Sequence, residues 1–284
     1  MSDIPGLLWY DNGQSGLTGE LLARHAALDD LFLRLADRWN ATKIAFPPLI
    51  SAAELSKIAY FESFPHLFTA AAGLAADDNN LRAFTAGGML DGGALKLTSL
   101  APVREILAPA ACYPLYIAQQ QRELPERAIF TVRANCFRRE REYKPLQRQW
   151  AFTMREIVCL GSGAEVREFL ESSRRTLDRL FNALSLDVVW EIATDPFFDP
   201  RNPQSLMQRV DPVKREMVCG GLAIGSINYH RHHFGDAFAI RRGGESVESG
   251  CVAFGLERWL HVLLQRYGAA YGAWPDLDRL PWPR

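Results

Sequence analysis

Two strands with a knot of charge between them constrain this chain more than any other feature. Residues 128–160, AIFTVRANCFRREREYKPLQRQWAFTMREIVCL, open with Ile129, Thr131 and Arg133 at alternate positions, the period of a strand. Arg138-Arg139-Glu140-Arg141-Glu142 follows, then the turn-prone Tyr143-Lys144-Pro145. A second strand-like run returns through Trp150, Phe152, Met154, Ile157 and Val158. The pattern predicts an antiparallel pair joined by a charged loop. A guanidinium fork on a sheet face matches phosphate oxygens and cannot shed its charge. A nearby carboxylate can accept from an exocyclic amine, and a phenyl ring can stack on a purine. Arg138, Glu140 and Phe152 are the residues available for those three functions. On this stretch alone, a solvated charged hairpin without a ligand fits equally well.

Composition narrows the setting. At 284 residues and 48% hydrophobic, the chain can bury a sizeable core, and residues 1–284 are expected to form one α/β domain. Lys and Arg number 32 against 33 Asp and Glu, which argues against a surface built wholly for nucleic acid. No secretory apolar segment and no long apolar run is present, so a cytoplasmic protein away from membranes is expected. Five cysteines with no CxxC do not suggest a disulfide framework.

Residues 17–40 carry a broad apolar stripe and predict a helix, with Thr18 or Asp29 as capping candidates. Residues 41–55 read as a strand running into Pro47-Pro48 and then a helix. Residues 57–69 are aromatic and suit the core. Residues 71–95, rich in Ala, Gly and Asp, predict a mobile loop or loose hairpin. Residues 98–121 lead from a strand into a helix. The clearest helical periodicity lies at 164–184, and 186–193 suits a buried strand. Residues 195–216 read as a surface insertion with a short helix, basic at Arg201, Arg209, Lys214 and Arg215. Residues 219–242 suggest a tight turn and two strands.

Residues 249–264, SGCVAFGLERWLHVLL, set Cys251, Ala253 and Gly255 at alternate positions, then Glu257-Arg258, then an apolar helix. This resembles motif 3 of class II aminoacyl-tRNA synthetases, and FRRE at 137–140 resembles the F-R-x-E of their motif 2. The helix and proline-ended strand of 17–48 resemble motif 1, which builds the dimer interface in that family. The resemblance implies a class II synthetase-like catalytic domain of α+β type, an antiparallel sheet flanked by helices. It also implies roles at ATP: Arg138 on the α-phosphate, Glu140 reading adenine, Phe152 stacking on the base and Arg258 near the γ-phosphate. Arg138 and Arg258 are then the catalytic pair, and Arg148 joins the ATP-binding set.

In seryl-type enzymes a T-x-E stretch holds the substrate amino group; here Cys112 falls where the Glu would be. By the same alignment Cys112, Glu156 and Cys251 reach one pocket. Two thiolates, a carboxylate and an open position suit Zn²⁺. Taken singly, Cys112 and Cys251 also suit core thiols, and Glu156 an ion pair with Arg155 or Arg138. His230, His232 and His233 are rival ligands, but H-x-H-H on a strand points to opposite faces.

Cys/Glu/Cys resembles the zinc signature of the atypical seryl-tRNA synthetases of methanogenic archaea. The chain is identified as similar to amino acid:[carrier protein] ligases, short homologues of that core, through ACYPLY, CFRRE, FTMREIVCLG, SINYHRHHFG and GCVAFGLERW. The resemblance implies a homodimer that adenylates a small amino acid, glycine or alanine, with ATP and Mg²⁺. It further implies transfer to the phosphopantetheine thiol of a small acidic carrier protein, with no tRNA. A helical insertion at 199–215 would meet the carrier. Lys214 and Glu216 would face the nucleotide, with Ala223, Gly225 and Ser226 lining the ATP site. Glu156, Asn228 and His230 would face the amino acid. The span between Glu216 and Ser226 is shorter than the family pattern.

Overall fold

The computed structural model describes residues 4–87, 90–201, 206, 208, 210 and 212–280. Seven strands form its main sheet: β1 (Thr42–Ile44), β2 (Ala128–Phe137), β3 (Ala151–Gly161), β4 (Val188–Ala193), β5 (Lys214–Cys219), β6 (Leu222–Arg231) and β7 (Glu248–Gly255). Their spatial order is β4-β5-β6-β7-β3-β2-β1. Every pairing is antiparallel except the parallel edge pair β1–β2. The expected hairpin of β2 and β3 sits inside the sheet, in register from Ala151↔Phe137 to Leu160↔Ala128. Val132, Ile157 and Val158 are buried there, as alternation on a sheet covered on both faces requires.

Five helices position the sheet: α1 (Gly19–Asp37), α2 (Tyr113–Ala118), α3 (Gly163–Ala183), α4 (His233–Phe238) and α5 (Leu256–Tyr267). The long helices α1, α3 and α5 cover one face. Leu28, Phe32, Phe169, Leu177, Trp259 and Leu263 meet Ile157, Val252 and Phe254 in the main apolar cluster. Phe32 stacks on Phe254 at 3.9 Å. Helix α3 begins at a full capping box in which Ser162 and Glu165 satisfy each other's backbone ends. On the other face α2 and α4 join Val158, Leu160 and Cys251 in a second cluster, where Tyr116 stacks on Phe234 at 3.9 Å.

Asp29 does not cap a turn. Its carboxylate takes both arms of the Arg155 guanidinium at 2.8 Å each, fastening α1 to β3. Thr18 stands at the helix N-terminus but donates to Gly6 O instead of capping. Three other expectations are corrected. Within 71–95, Asp78–Ala86 is a helix whose N-cap Asp77 accepts from Asn80 N, and only Leu90–Asp91 with Ala94–Leu95 forms the small hairpin. Strand β4 is an exposed edge and not a buried strand: Val189 is 56% and Ile192 59% accessible. Residues 219–242 hold the expected turn and one long strand, but α4 intervenes before the short second strand Arg241–Arg242, because the chain leaves the sheet at Arg231, whose φ of 53° lies in the left-handed region. Of the insertion helix, 202–205, 207, 209 and 211 lie outside the described residues.

Replacing Asp29 by Ala leaves Arg155, 7% exposed, a buried charge without its carboxylate. The expected loss is about 3–5 kcal/mol of folding stability. Urea unfolding of D29A against the parent measures it, and an unchanged midpoint would show that the pair contributes nothing.

Candidate active site

One cavity of about 700 Å³ opens between the sheet and the 58–67 and 195–197 segments. Each residue expected at the site lines it: Cys112, Arg138, Glu140, Arg148, Phe152, Glu156, Lys214, Glu216, Ala223, Gly225, Ser226, Asn228, His230, Cys251 and Arg258. Strand periodicity explains the convergence. Along β3, Phe152, Met154 and Glu156 face the cavity, whereas Arg155 and Ile157 face α1 and the core. On β7 the cavity receives Cys251 and Ala253, and the core receives Val252 and Phe254. Asn228 on β6 pairs directly with Cys251, and Glu156 pairs with the neighbouring Ala253.

Arginines form one end. Arg138 Nε donates to Pro109 O at 2.9 Å, and its guanidinium carbon lies 5.3 Å from the Phe152 ring centre. Arg258 donates through Nε to Gln147 O and through Nη1 to Ala223 O, each at 2.8 Å. Burial, reinforced by Arg138, lowers the Arg258 pKa from its ordinary value. Two guanidiniums repelling each other in a half-closed cavity favour an anion between them. Arg148 and Glu140 lie 3.6 Å apart at the mouth. Gly225 has a packing reason to be glycine: a Cβ there would lie 2.4 Å from Met217 Cε and 2.5 Å from Ala253 O.

Lys214 is not part of a basic surface. Its ammonium, 15% exposed, lies 3.0 Å from Asp195 Oδ1 and 3.2 Å from Glu216 Oε1. Burial would raise the Asp195 pKa, but Lys214 outweighs it and holds the carboxyl below its ordinary range. Asp195 also exchanges two hydrogen bonds with Gln208, its N–H to Oε1 and its Oδ2 from Nε2, both 2.9 Å. The short β5–β6 turn is closed by Gly220 and Gly221, both at positive φ. This accounts for the brief span between Glu216 and Ser226.

Thiols and a carboxylate form the opposite end. Cys112, at the start of α2, hydrogen-bonds both Cys251 and Glu156. The neighbouring Ala111 N donates to Glu156 Oε1 at 3.1 Å. Asn228 Nδ2 donates to Cys251 Sγ at 3.3 Å, and His230 Nε2 lies 3.7 Å from the same sulfur. The bond to Cys251, then burial, drives the Cys112 pKa well up. The bond from Cys112 pulls Cys251 down, yet burial and Glu156 leave it raised. Burial likewise raises Glu156. His230, buried and beside His233, is pushed down to about 3 and is neutral. The three expected ligands therefore meet. Among the described residues, however, no group of three or more His, Cys, Asp or Glu side chains is arranged to hold a metal ion as it stands. His232 and His233 leave the strand for α4, so the H-x-H-H run is not a single-strand motif. Glu156 pairs with neither Arg155 nor Arg138; Arg155 belongs to Asp29.

Sequence reasoning missed several lining residues. Asp195 and Tyr60 carry no motif signal, and their place follows from the tertiary path alone; Tyr113 lies inside ACYPLY but was given no role. Glu257 was visible beside Arg258, but its partners were not. No helix among the described residues is long and apolar enough to cross a membrane.

Comparison with known proteins agrees with this arrangement. Residues 104–267 match the family described as tRNA synthetase class II core domain (G, H, P, S and T). Amino acid–[acyl-carrier-protein] ligase 1 of Bradyrhizobium diazoefficiens is 34% identical over 94% of this chain and 85% of its own length. Ligase 2 of the same organism is 33% identical over 97% of this chain and 85% of its own length. The type-2 serine–tRNA ligase of Methanothermobacter thermautotrophicus is 25% identical over 90% of this chain, which spans 54% of that enzyme. Among solved structures, M. kandleri SerRS in complex with A. aeolicus tRNASec superposes with a TM-score of 0.82 at 21% identity, over 95% of this chain and 57% of that one. A class II core, together with identity above 30% over 85% of both carrier-protein ligases, shows that this chain belongs to the amino acid–[acyl-carrier-protein] ligase family.

Proposed function

We propose that this enzyme activates a small amino acid with ATP, as an aminoacyl-adenylate with release of pyrophosphate, and passes the aminoacyl group to the phosphopantetheine thiol of a carrier protein. The observation that carries the reading is the two-ended cavity: guanidiniums at one end, a thiol–carboxylate cluster at the other. Adenylation joins two anions. The amino acid carboxylate attacks the α-phosphate, and charge builds on the phosphate oxygens. Arg138 would stabilise that charge, while Arg258 would hold the β- and γ-phosphates so that pyrophosphate leaves in line. Glu140 and Phe152 would take the adenine, and Lys214, Ala223, Gly225 and Ser226 the remaining nucleotide wall. Mg²⁺ would offset phosphate charge beside Glu216. No side-chain nucleophile is required. The second step breaks the acyl–phosphate bond and forms a thioester, releasing AMP.

Cys112, Glu156 and Cys251 would hold zinc. The donor set fits: two sulfurs and a carboxylate are buried together, and burial with their mutual contacts holds protons on all three. Asn228 and His230 would support Cys251 from behind, as outer-shell donors do. Zinc supplies a Lewis-acidic position for the substrate amino group. We further propose one domain over residues 1–284 acting as a homodimer. The five free cysteines suit the cytoplasm. For the carrier, the described residues near the insertion offer Arg201 and the exposed Phe198. Arg209 lies outside them, and Lys214 faces the cavity.

Purified protein should carry about one zinc per chain. Because both thiols keep their protons above the ordinary thiol range, zinc uptake releases protons. Log affinity in chelator competition should rise with pH, by up to about two per unit. A pH-independent affinity contradicts the ligand set. R138A and R258A should each slow amino-acid-dependent pyrophosphate exchange by at least ~10²-fold; exchange near the parent rate would remove that arginine from the mechanism.

Radiolabelled glycine or alanine with ATP should label holo carrier protein, in a thioester cleaved by hydroxylamine, and label neither apo carrier nor total tRNA. Stable label on tRNA would instead favour a seryl-type charging enzyme. R201E should weaken transfer and leave exchange unchanged.

A further inference from the structure

Where β7 leaves the sheet, β3 continues. The ladder between them runs from Gly161↔Glu248 only as far as Met154↔Gly255, and the chain then turns into α5. Thr153, the next residue of β3, has no β7 backbone left to meet its N–H. Glu257, in the first turn of α5, fills that place: both carboxylate oxygens accept from Thr153 N, at 3.0 and 2.9 Å. Glu257 is 7% exposed, and its Oε1 lies 3.5 Å from Nε2 of the equally buried His25 on α1. The residues flanking this contact are the ones that face the nucleotide end. Phe152 precedes Thr153, and Arg258 follows Glu257.

We propose that Glu257 is a positioning residue for ATP: its carboxylate replaces the missing ladder partner of Thr153 and so fixes the Phe152 ring and the Arg258 guanidinium in one frame. Arg258 already spans Gln147 O and Ala223 O, at 2.8 Å each, so its own placement depends on where α5 begins. His25 closes the far side, which makes α1 a strut behind the same carboxylate. Thr153 N is a buried donor, and Glu257 supplies both of its acceptors. Without them the strand end shifts toward whatever acceptor it can find, carrying Phe152 with it.

The inference rests on Phe152 and Arg258 being nucleotide ligands, and the experiment separates the two ideas. Pyrophosphate exchange is measured for the parent, E257A, E257Q and E257D, with glycine or alanine as the amino acid and thermal unfolding recorded for each. In E257A the ATP KM should rise about tenfold, while the amino acid KM stays within about twofold. E257Q keeps a carbonyl for Thr153 and should stay close to the parent. E257D is one methylene short and should behave as E257A does; it decides the matter if E257A does not fold. A merely structural role would lower stability and raise both KM values alike, or neither, without a rescue by Gln. Equal ATP KM in parent and E257D, or equal damage to both substrates, overturns the positioning role. Exchange by R258A at the parent's rate and ATP KM fails the reading of Arg258 as a nucleotide ligand instead.

Discussion

The register between β3 and β7 is the constraint on which the site depends. Side chains along a strand alternate faces, so a slip of one residue would turn Phe152, Met154 and Glu156 into the core and bring Thr153, Arg155 and Ile157 to the cavity. Arg155 guards against this error. Its guanidinium is buried and saturated by Asp29 on α1, so a slipped strand would lose both the ion pair and the apolar contact of Ile157. The cavity face is correct because the opposite face is specified so strongly.

The cavity separates charge along its length. Guanidiniums at one end repel one another and need an anion; thiols and a carboxylate at the other hold protons that a cation would displace. Lys214, level with Asn228 and Cys251 in the sheet, is shared by two carboxylates. Such polarity is costly in a half-buried space unless a ligand completes it. A zwitterionic amino acid beside a nucleotide triphosphate has the matching distribution, with amine at one end and phosphates at the other.

Much of this was legible in the sequence because the chemistry is local there. Arg138 and Glu140 sit two apart on one loop, and Cys251 and Arg258 lie within eight residues of each other on a strand and the helix it enters. Helix α3 was legible from its periodicity, though its capping box went unread. The failures have a common cause in tertiary context. Nothing in residues 186–193 tells an apolar edge strand from a buried one, because both are rich in β-branched residues. The turn at Arg231 relies on a left-handed arginine that no turn propensity announces. The charged stretch around Lys214 set it among surface cations while the family resemblance set it at the nucleotide, and neither announced its carboxylate partners. Only the fold carries Asp195 to it. Asp195 itself sat unnoticed in a proline-punctuated stretch because its partners are 13 and 19 residues away.

That aspartate has a practical meaning for anyone recutting the enzyme. In sequence, the stretch proposed to meet the carrier is a natural candidate for exchange with that of a relative. Yet Gln208 grips Asp195 through two reciprocal bonds, and the same carboxylate grips Lys214 on the cavity wall. A graft that keeps the outer surface but omits the glutamine would cut a joint as well as swap a handle. The graft boundary belongs outside that amide, with Gln208 left to the recipient.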